Sequence, residues 1–247
     1  MKKQEGISLL ELLISLFVAS LLMTLMLQQY LITKRQYREI HRLLERSIEL
    51  QMVTDLIRAS VRMAGFTPCG GINSLNSIDR RNARTGLNAI LINGEKSNSL
   101  QINKMGDRFA TVMQQLGPTQ LLLQTDIDYE EQEAVLIADC FHAEVQQIAA
   151  TSKTKAGTVL TFTKPLAFDY LAPIYLGEWV EERFFIQKNK IGDPALFYKQ
   201  KHAEELTNVI QSLAVKLSFI RGKIMVEVNL GLQKNSNWLV RTVVRAG

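Results

Sequence analysis

The chain is poor in the residues from which reactive sites are built. Of its 247 residues, two are cysteine, three are histidine and five are proline. Cys69 and Cys140 form no CxxC pair, which excludes a zinc ribbon and a dithiol redox motif. His41, His142 and His202 are too far apart in sequence to make a metal pair of the HExxH kind. No GxSxG, P-loop or GxGxxG occurs, and Gly70-Gly71 reads as a turn rather than a phosphate cradle. There is no internal repeat and no low-complexity tract. The sequence therefore offers no catalytic constellation, no metal-ligand set and no cofactor motif. Neither sign of charge dominates, with 29 Lys and Arg against 24 Asp and Glu. The net charge of +5 suits an anionic surface in general and is weak ground for nucleic-acid binding.

What is present lies at the start of the chain. Residues 7–27 (ISLLELLISLFVASLLMTLML) form an apolar run of 21 residues with one charge, Glu11. As a helix it would be about 31 Å long, enough for a hydrocarbon core of roughly 30 Å. A carboxylate inside such a segment costs about 2.5–3.5 kcal/mol on insertion scales, so it asks for a function and a partner. Before the run stands Met1-Lys2-Lys3-Gln4-Glu5-Gly6, short and polar, and Glu11 is the fifth residue after Gly6. A secretory signal peptide has a shorter apolar region and small residues after it, whereas Gln28-Gln29-Tyr30 follow here. Lys2 and Lys3 precede the run while Lys34, Arg35 and Arg38 follow it, so counting positive charges leaves the orientation open.

The stretch Gly6-Ile7-Ser8-Leu9-Leu10-Glu11-Leu12 resembles the type III signal of type IV pilins and their relatives. The glycine, the spacing and the lone acid coincide; Ile7 replaces the phenylalanine common after the glycine. The resemblance implies cleavage between Gly6 and Ile7 by a prepilin peptidase and N-methylation of Ile7. It also implies a leader in the cytoplasm and a remainder in the periplasm. Gly6, without a Cβ, lets the backbone lie extended in a protease cleft. The new amine on Ile7 of one subunit would neutralise Glu11 of a neighbour in the filament, where low dielectric makes either charge costly alone. Glu11 also lies near its own helix N-terminus, where the dipole favours an anion. An ordinary signal anchor with an acid near its end is the alternative. In a periplasmic domain, two cysteines suggest a Cys69–Cys140 disulfide, which closes a loop of about 70 residues worth roughly 4 kcal/mol. Two free buried thiols are the alternative.

No proline occurs before Pro68. Ile40, Leu43, Leu44, Ile48, Val53, Leu56, Ile57, Val61 and Ala64 recur at three- and four-residue steps among charges. One helix is expected from the apolar run to about Ala64, stopped by Gly65 and Pro68. Its second half is expected to be amphipathic and packed on a domain. Tyr30 and Tyr37 suit an interface or helix packing. Residues 67–88 read as irregular loop. Short β-like runs follow at 89–92, 100–103, 120–125, 135–137, 159–163, 183–187, 196–198, 213–219, 224–230 and 238–244. Leu213, Val215, Leu217 and Phe219 share one face, and so do Ile224, Val226, Val228 and Leu230. Arg221-Gly222-Lys223 and Lys190-Ile191-Gly192-Asp193-Pro194 read as hairpin turns. The fold class is α+β, a long helix packed on antiparallel sheet. The organisation expected is a leader over 1–6, a membrane or filament-core helix over 7–30, an amphipathic continuation over 31–66 and a β-rich periplasmic domain over 67–247.

The helix exit Arg62-Met63-Ala64-Gly65-Phe66 with Cys69, then Leu136-Ile137-Ala138-Asp139-Cys140-Phe141, then the stretch 184–219, is similar to PilW-like minor pilins. That resemblance implies a minor pilin that helps initiate pilus assembly, acts near the tip and has no enzymatic turnover. Adhesion, twitching motility or DNA uptake would lie downstream. The partners it implies are other minor pilins, the major pilin, a tip adhesin, the inner-membrane assembly platform and the prepilin peptidase. A minor pseudopilin of type II secretion, similar to its J subunit, shares the leader and helix, and gene neighbourhood separates the two. A DNA receptor would use Arg80, Arg81 and Arg84. A membrane-anchored enzyme would need His142 or His202 beside a carboxylate in a cleft. The acids Asp126, Asp128, Glu130, Glu131 and Glu133 offer oxygens suited to calcium, but without the EF-hand glycine and spacing.

Overall fold

The computed structural model describes residues 9–93, 97–220, 222–233 and 236–245. The chain forms two compact units, Met1–Gln51 and Met52–Gly247. A single helix, α1 (Leu9–Arg62), runs through 54 residues without a break. It ends just short of Gly65. There φ is +72°, and a Cβ would lie 2.6 Å from that of Ala89, so only glycine fits.

In the first unit, the described helix is exposed throughout its apolar run. Leu9, Leu12, Leu16, Phe17, Leu21 and Leu25 all face outward. Exposure continues through Ile40, Leu43, Leu44 and Ile48, four of the positions that the helical periodicity marked for packing. Amphipathic spacing marks an apolar stripe but does not say what covers it.

The second unit begins with the last turns of the helix. Val53, Ile57, Val61 and Ala64 are buried at steps of four, four and three, together with Thr54 and Ser60. Fourteen strands follow among the described residues: β1 (Asn76–Asp79), β2 (Arg84–Thr85), β3 (Ile90–Ile92), β4 (Ser99–Gly117), β5 (Gln120–Leu123), β6 (Ala134–Ala138), β7 (His142–Thr154), β8 (Gly157–Phe162), β9 (Tyr175–Lys188), β10 (Pro194–Lys199), β11 (Ala203–Thr207), β12 (Ile210–Ile220), β13 (Lys223–Leu232) and β14 (Asn237–Val243). The α+β class holds, with one long helix and a large, mostly antiparallel sheet. The segment 67–88, expected to be loop, instead contains a 3₁₀ turn (Ile72–Ser74), β1 and β2. β1 supplies the parallel pairing of the sheet, alongside β7. Its four residues are too few to show a period.

The larger sheet closes on itself. β4 pairs with β5, β5 with β8, β8 with β7, β7 with β6, β6 with β9, and β9 with β4, all antiparallel. This ring encloses Val112, Leu121, Leu123, Ile137, Ile148 and Leu176. Tyr129 fills its interior and donates its hydroxyl to the Leu176 carbonyl at 3.2 Å. Closure needs long strands that change partners along their length. β9 pairs with β6 over its first residues and with β10 over its last. At Gly177, between β4 and β6, a Cβ would sit 2.7 Å from Met105 Cγ, so the close approach excludes a side chain. β12, β13 and β14 form a separate three-stranded sheet in plain hairpin order. There Leu213 faces Leu230 and Val215 faces Val228, the register that the two alternating rows anticipate.

Candidate functional site

Glu11 stands in the first turn of α1 as described, and Leu9, Leu10, Leu12 and Leu13 around it are exposed. From Leu12 to Thr33 the chain has no charged residue. Three hydroxyls within this stretch are satisfied by the helix itself. Ser15 donates to the Leu12 carbonyl, Ser20 to Phe17 and Thr24 to Ser20, at 2.8–2.9 Å. Such bonding suits a segment with no water to offer hydrogen bonds. Glu11 has no such partner among the described residues. Gly6 and Ile7, the expected cleavage and methylation positions, lie outside the described residues.

The other marked pair meets. Cys69, just past the helix exit, is disulfide-bonded to Cys140, in the turn between β6 and β7. That turn is built on Asp139, which is sealed from solvent. Its Oδ1 accepts from the Phe141 and His142 amides, and its Oδ2 from Leu171 N at 2.9 Å. Burial alone would raise this carboxyl, but the three amides and the His142 ring hold it below the ordinary range. The segment joining β8 to β9 is latched to the same face. Glu144 accepts from Ala167 N at 2.8 Å, Gln146 Nε2 donates to the Lys164 and Pro165 carbonyls, and Phe168 stacks on His142. Burial pushes Glu144 above the usual carboxylate range, against the Ala167 amide, Tyr170, Arg80 and Gln146, which favour its charged form. Sequence inspection missed this latch because its members are scattered over β7 and a loop with no motif.

The fold brings two of the histidines beside carboxylates. His142 Nδ1 lies 3.4 Å from Asp139 Oδ2, but that carboxylate is saturated by backbone amides and the ring is packed between aromatics. His202 borders a shallow depression with Glu178 and Glu204, where Glu178 is paired with Lys201 at 3.4 Å. His41 pairs with Glu45 and stacks on Tyr37. Among the described residues, no group of three or more His, Cys, Asp or Glu is placed to hold a metal ion. In the acidic stretch, Asp128 pairs with Lys153 at 2.6 Å and Glu133 accepts from Glu130 N.

The basic run is partly committed to the fold. Arg81 grips Asp79 with two bonds and reaches Glu181 at 2.6 Å, and Glu181 also accepts from the Trp179 indole. This chain of polar contacts borders a groove of about 460 Å³. Arg80 donates to the Pro165 carbonyl. Of the three cations considered for DNA, Arg84 alone has no side-chain partner among the described residues.

Residues 1–27 match the family described as the prokaryotic N-terminal methylation motif. Comparison with curated proteins and with solved structures gives no match. The N-terminal segment is thus type IV pilin-like, with a prepilin-type signal. One described helix is long and apolar enough to cross a membrane, and its first residues lie within the matched segment. The combination fits a membrane-anchored protein that assembles with pilins.

Proposed function

We propose that this chain is a minor pilin of a type IV pilus, similar to PilW-like minor pilins, that helps to start assembly and sits in or near the tip complex. One observation carries the reading: Glu11 is the lone carboxylate of an exposed apolar run, within the residues that match the methylation motif. An isolated charge there is unfavourable in lipid and equally so in a dry filament core, unless a cation meets it. The amine of a neighbouring subunit's Ile7, freed by cleavage after Gly6, has the right charge. The Cys69–Cys140 bond supports a periplasmic location for the β-rich unit, because such bonds persist in oxidising compartments. The function is architectural. The partners are other minor pilins, the major pilin, a tip adhesin, the assembly platform and the prepilin peptidase.

The test is Glu11→Ala in the full chain. The variant should reach the membrane and be processed to a chain that begins at methylated Ile7, yet be depleted from sheared filaments, with fewer surface pili. Normal incorporation and piliation beside a wild-type control would overturn the pairing role. A secretion defect with normal piliation would move the chain to the type II secretion pseudopilins, which share the motif.

A further inference from the structure

A sheet edge is a row of unpaired N–H and C=O groups, and proteins blunt such edges by shortness, charge, proline or cover. The terminal strands here differ in this respect. β2 is two residues long. β11 carries Glu204 and Glu205 and has a register shift opposite Leu196 and Phe197. β12 takes a bridge from Ser97 at Val215. Along residues 237–243, β14 (NWLVRTV) has none of these protections; its open edge is capped just beyond them, where Arg245 N donates to Arg62 O. It contains no proline or lysine and pairs with β13 in unbroken register. Its one charge, Arg241, is neutralised within the sheet by Glu227 at 2.7 Å.

The direction of the open groups follows from two bonds. Ser236 O accepts from Leu232 N, and Val244 N donates to Ile224 O, so even-numbered residues address β13. By alternation, the N–H and C=O of Asn237, Leu239, Arg241 and Val243 point away from the sheet. No hydrogen bond reaches those groups among the described residues. The side chains of Leu239 and Val243 beside them are exposed.

We infer that β14 is a self-association edge, on which β14 of a second copy of this chain adds antiparallel, centred on Val240. The choice of a second copy rests on self-complementarity. Antiparallel pairing needs outward-facing residues opposite one another, and odd-with-odd registers satisfy this. Centring on Val240 sets Leu239 opposite Arg241 of the second copy and Asn237 opposite Val243. Centring on Arg241 would set like charges face to face. In the Val240 register, the aliphatic stem of each Arg241, its head held by Glu227, covers the other copy's Leu239. A twofold contact of this kind consumes both open edges and closes, so it yields a dimer and not a fibre. The inference does not depend on the pilus reading.

Two tagged forms of the full chain, Leu239→Cys and Arg241→Cys, are co-expressed in membranes and oxidised in air. Opposed hydrogen-bonded positions lie about 5.5 Å apart between Cα atoms, within disulfide range. A mixed dimer carrying both tags is expected, with none from either form alone. The pair Asn237→Cys and Val243→Cys should behave the same way. Retention of the Cys69–Cys140 bond, checked by peptide mapping, certifies that the variants are folded. Absence of mixed dimers in both pairs, equal yields from same-position forms, or cross-links only to a different protein would each overturn the proposal.

Discussion

The two ends of α1 are built from similar residues and meet opposite fates. Near its start, Leu12, Leu13, Leu16 and Phe17 are all exposed, and the segment is apolar on every face. Near its end, Val53, Ile57 and Val61 are inaccessible or nearly so, while Asp55 and Arg58 between them remain on the surface and pair with each other. A helix that is apolar all round needs a continuous apolar surrounding, whereas one with a single apolar stripe needs only one surface. The start carries one carboxylate without a partner among the described residues, while the end is fixed by specific contacts. Arg62 O accepts from Arg245 N, Gly65 N donates to Asn103 O and Met105 N donates to Phe66 O. The difference separates a segment long and apolar enough to cross a membrane from one packed into the globular unit, within a single continuous helix.

The sharpest way to break this comparison is to place the same charge at both ends. Ile57→Asp leaves an uncompensated carboxylate in a site with no exposure and should unfold the globular unit outright, seen as loss of its cooperative denaturation transition. Leu16→Asp should leave that transition unchanged and instead reduce membrane insertion by about 2.5–3.5 kcal/mol, read from glycosylation-mapped insertion efficiency. Equal effects on both assays would erase the distinction between the two ends.

A smaller loss is expected on cutting the covalent tie beside the helix exit. Cys140→Ser should lower the unfolding free energy of the globular unit by roughly 2–5 kcal/mol in denaturant titration, with membrane levels of folded chain affected only through that loss. An unchanged midpoint would show that the polar contacts at Gly65 and Phe66 suffice.

The smallest effect concerns pH. Asp139 has a folded-state pKa below its ordinary value of 3.8. Its stabilisation is therefore fully present above that value and is lost as pH falls through the lowered one. Glu144 is raised above 4.5, so its contribution runs the other way: present below 4.5 and lost as pH rises through the raised value. Acid titration of the wild type should show a loss of stability below pH 3.8 that Asp139→Asn diminishes. Glu144→Gln should remove the opposing loss on the alkaline side of 4.5. A wild-type acid limb that Asp139→Asn leaves intact would assign it to other carboxylates.

Legibility from sequence followed the range of the interactions. The helix to residue 62, its stop at Gly65 and the rows of β12 and β13 were visible, because each depends on neighbours within a few positions. β7, thirteen residues long, was not anticipated, because its partners change along its length and its side chains do not alternate in burial. β4 was read as four residues of a nineteen-residue strand, since a register shift between Met105 and Phe109 interrupts the period. The basic run looked like a surface patch because Asp79 is adjacent in sequence but Glu181, a hundred residues away, is not.

By itself, then, the sequence determined the methylation motif, the apolar segment with its single acid, and the point at which the helix ends. These are written in composition and local spacing, which no tertiary contact can change. Only the tertiary structure decided that the sheet closes into a ring, that burial along the helix starts at Leu50 and not at Ile40, that Cys69 meets Cys140, and that β14 is left with an open edge over residues 237–243. Each of these depends on segments far apart in the chain meeting in space. A pattern that repeats every two or four residues shows which face is apolar but carries no information about what that face will touch.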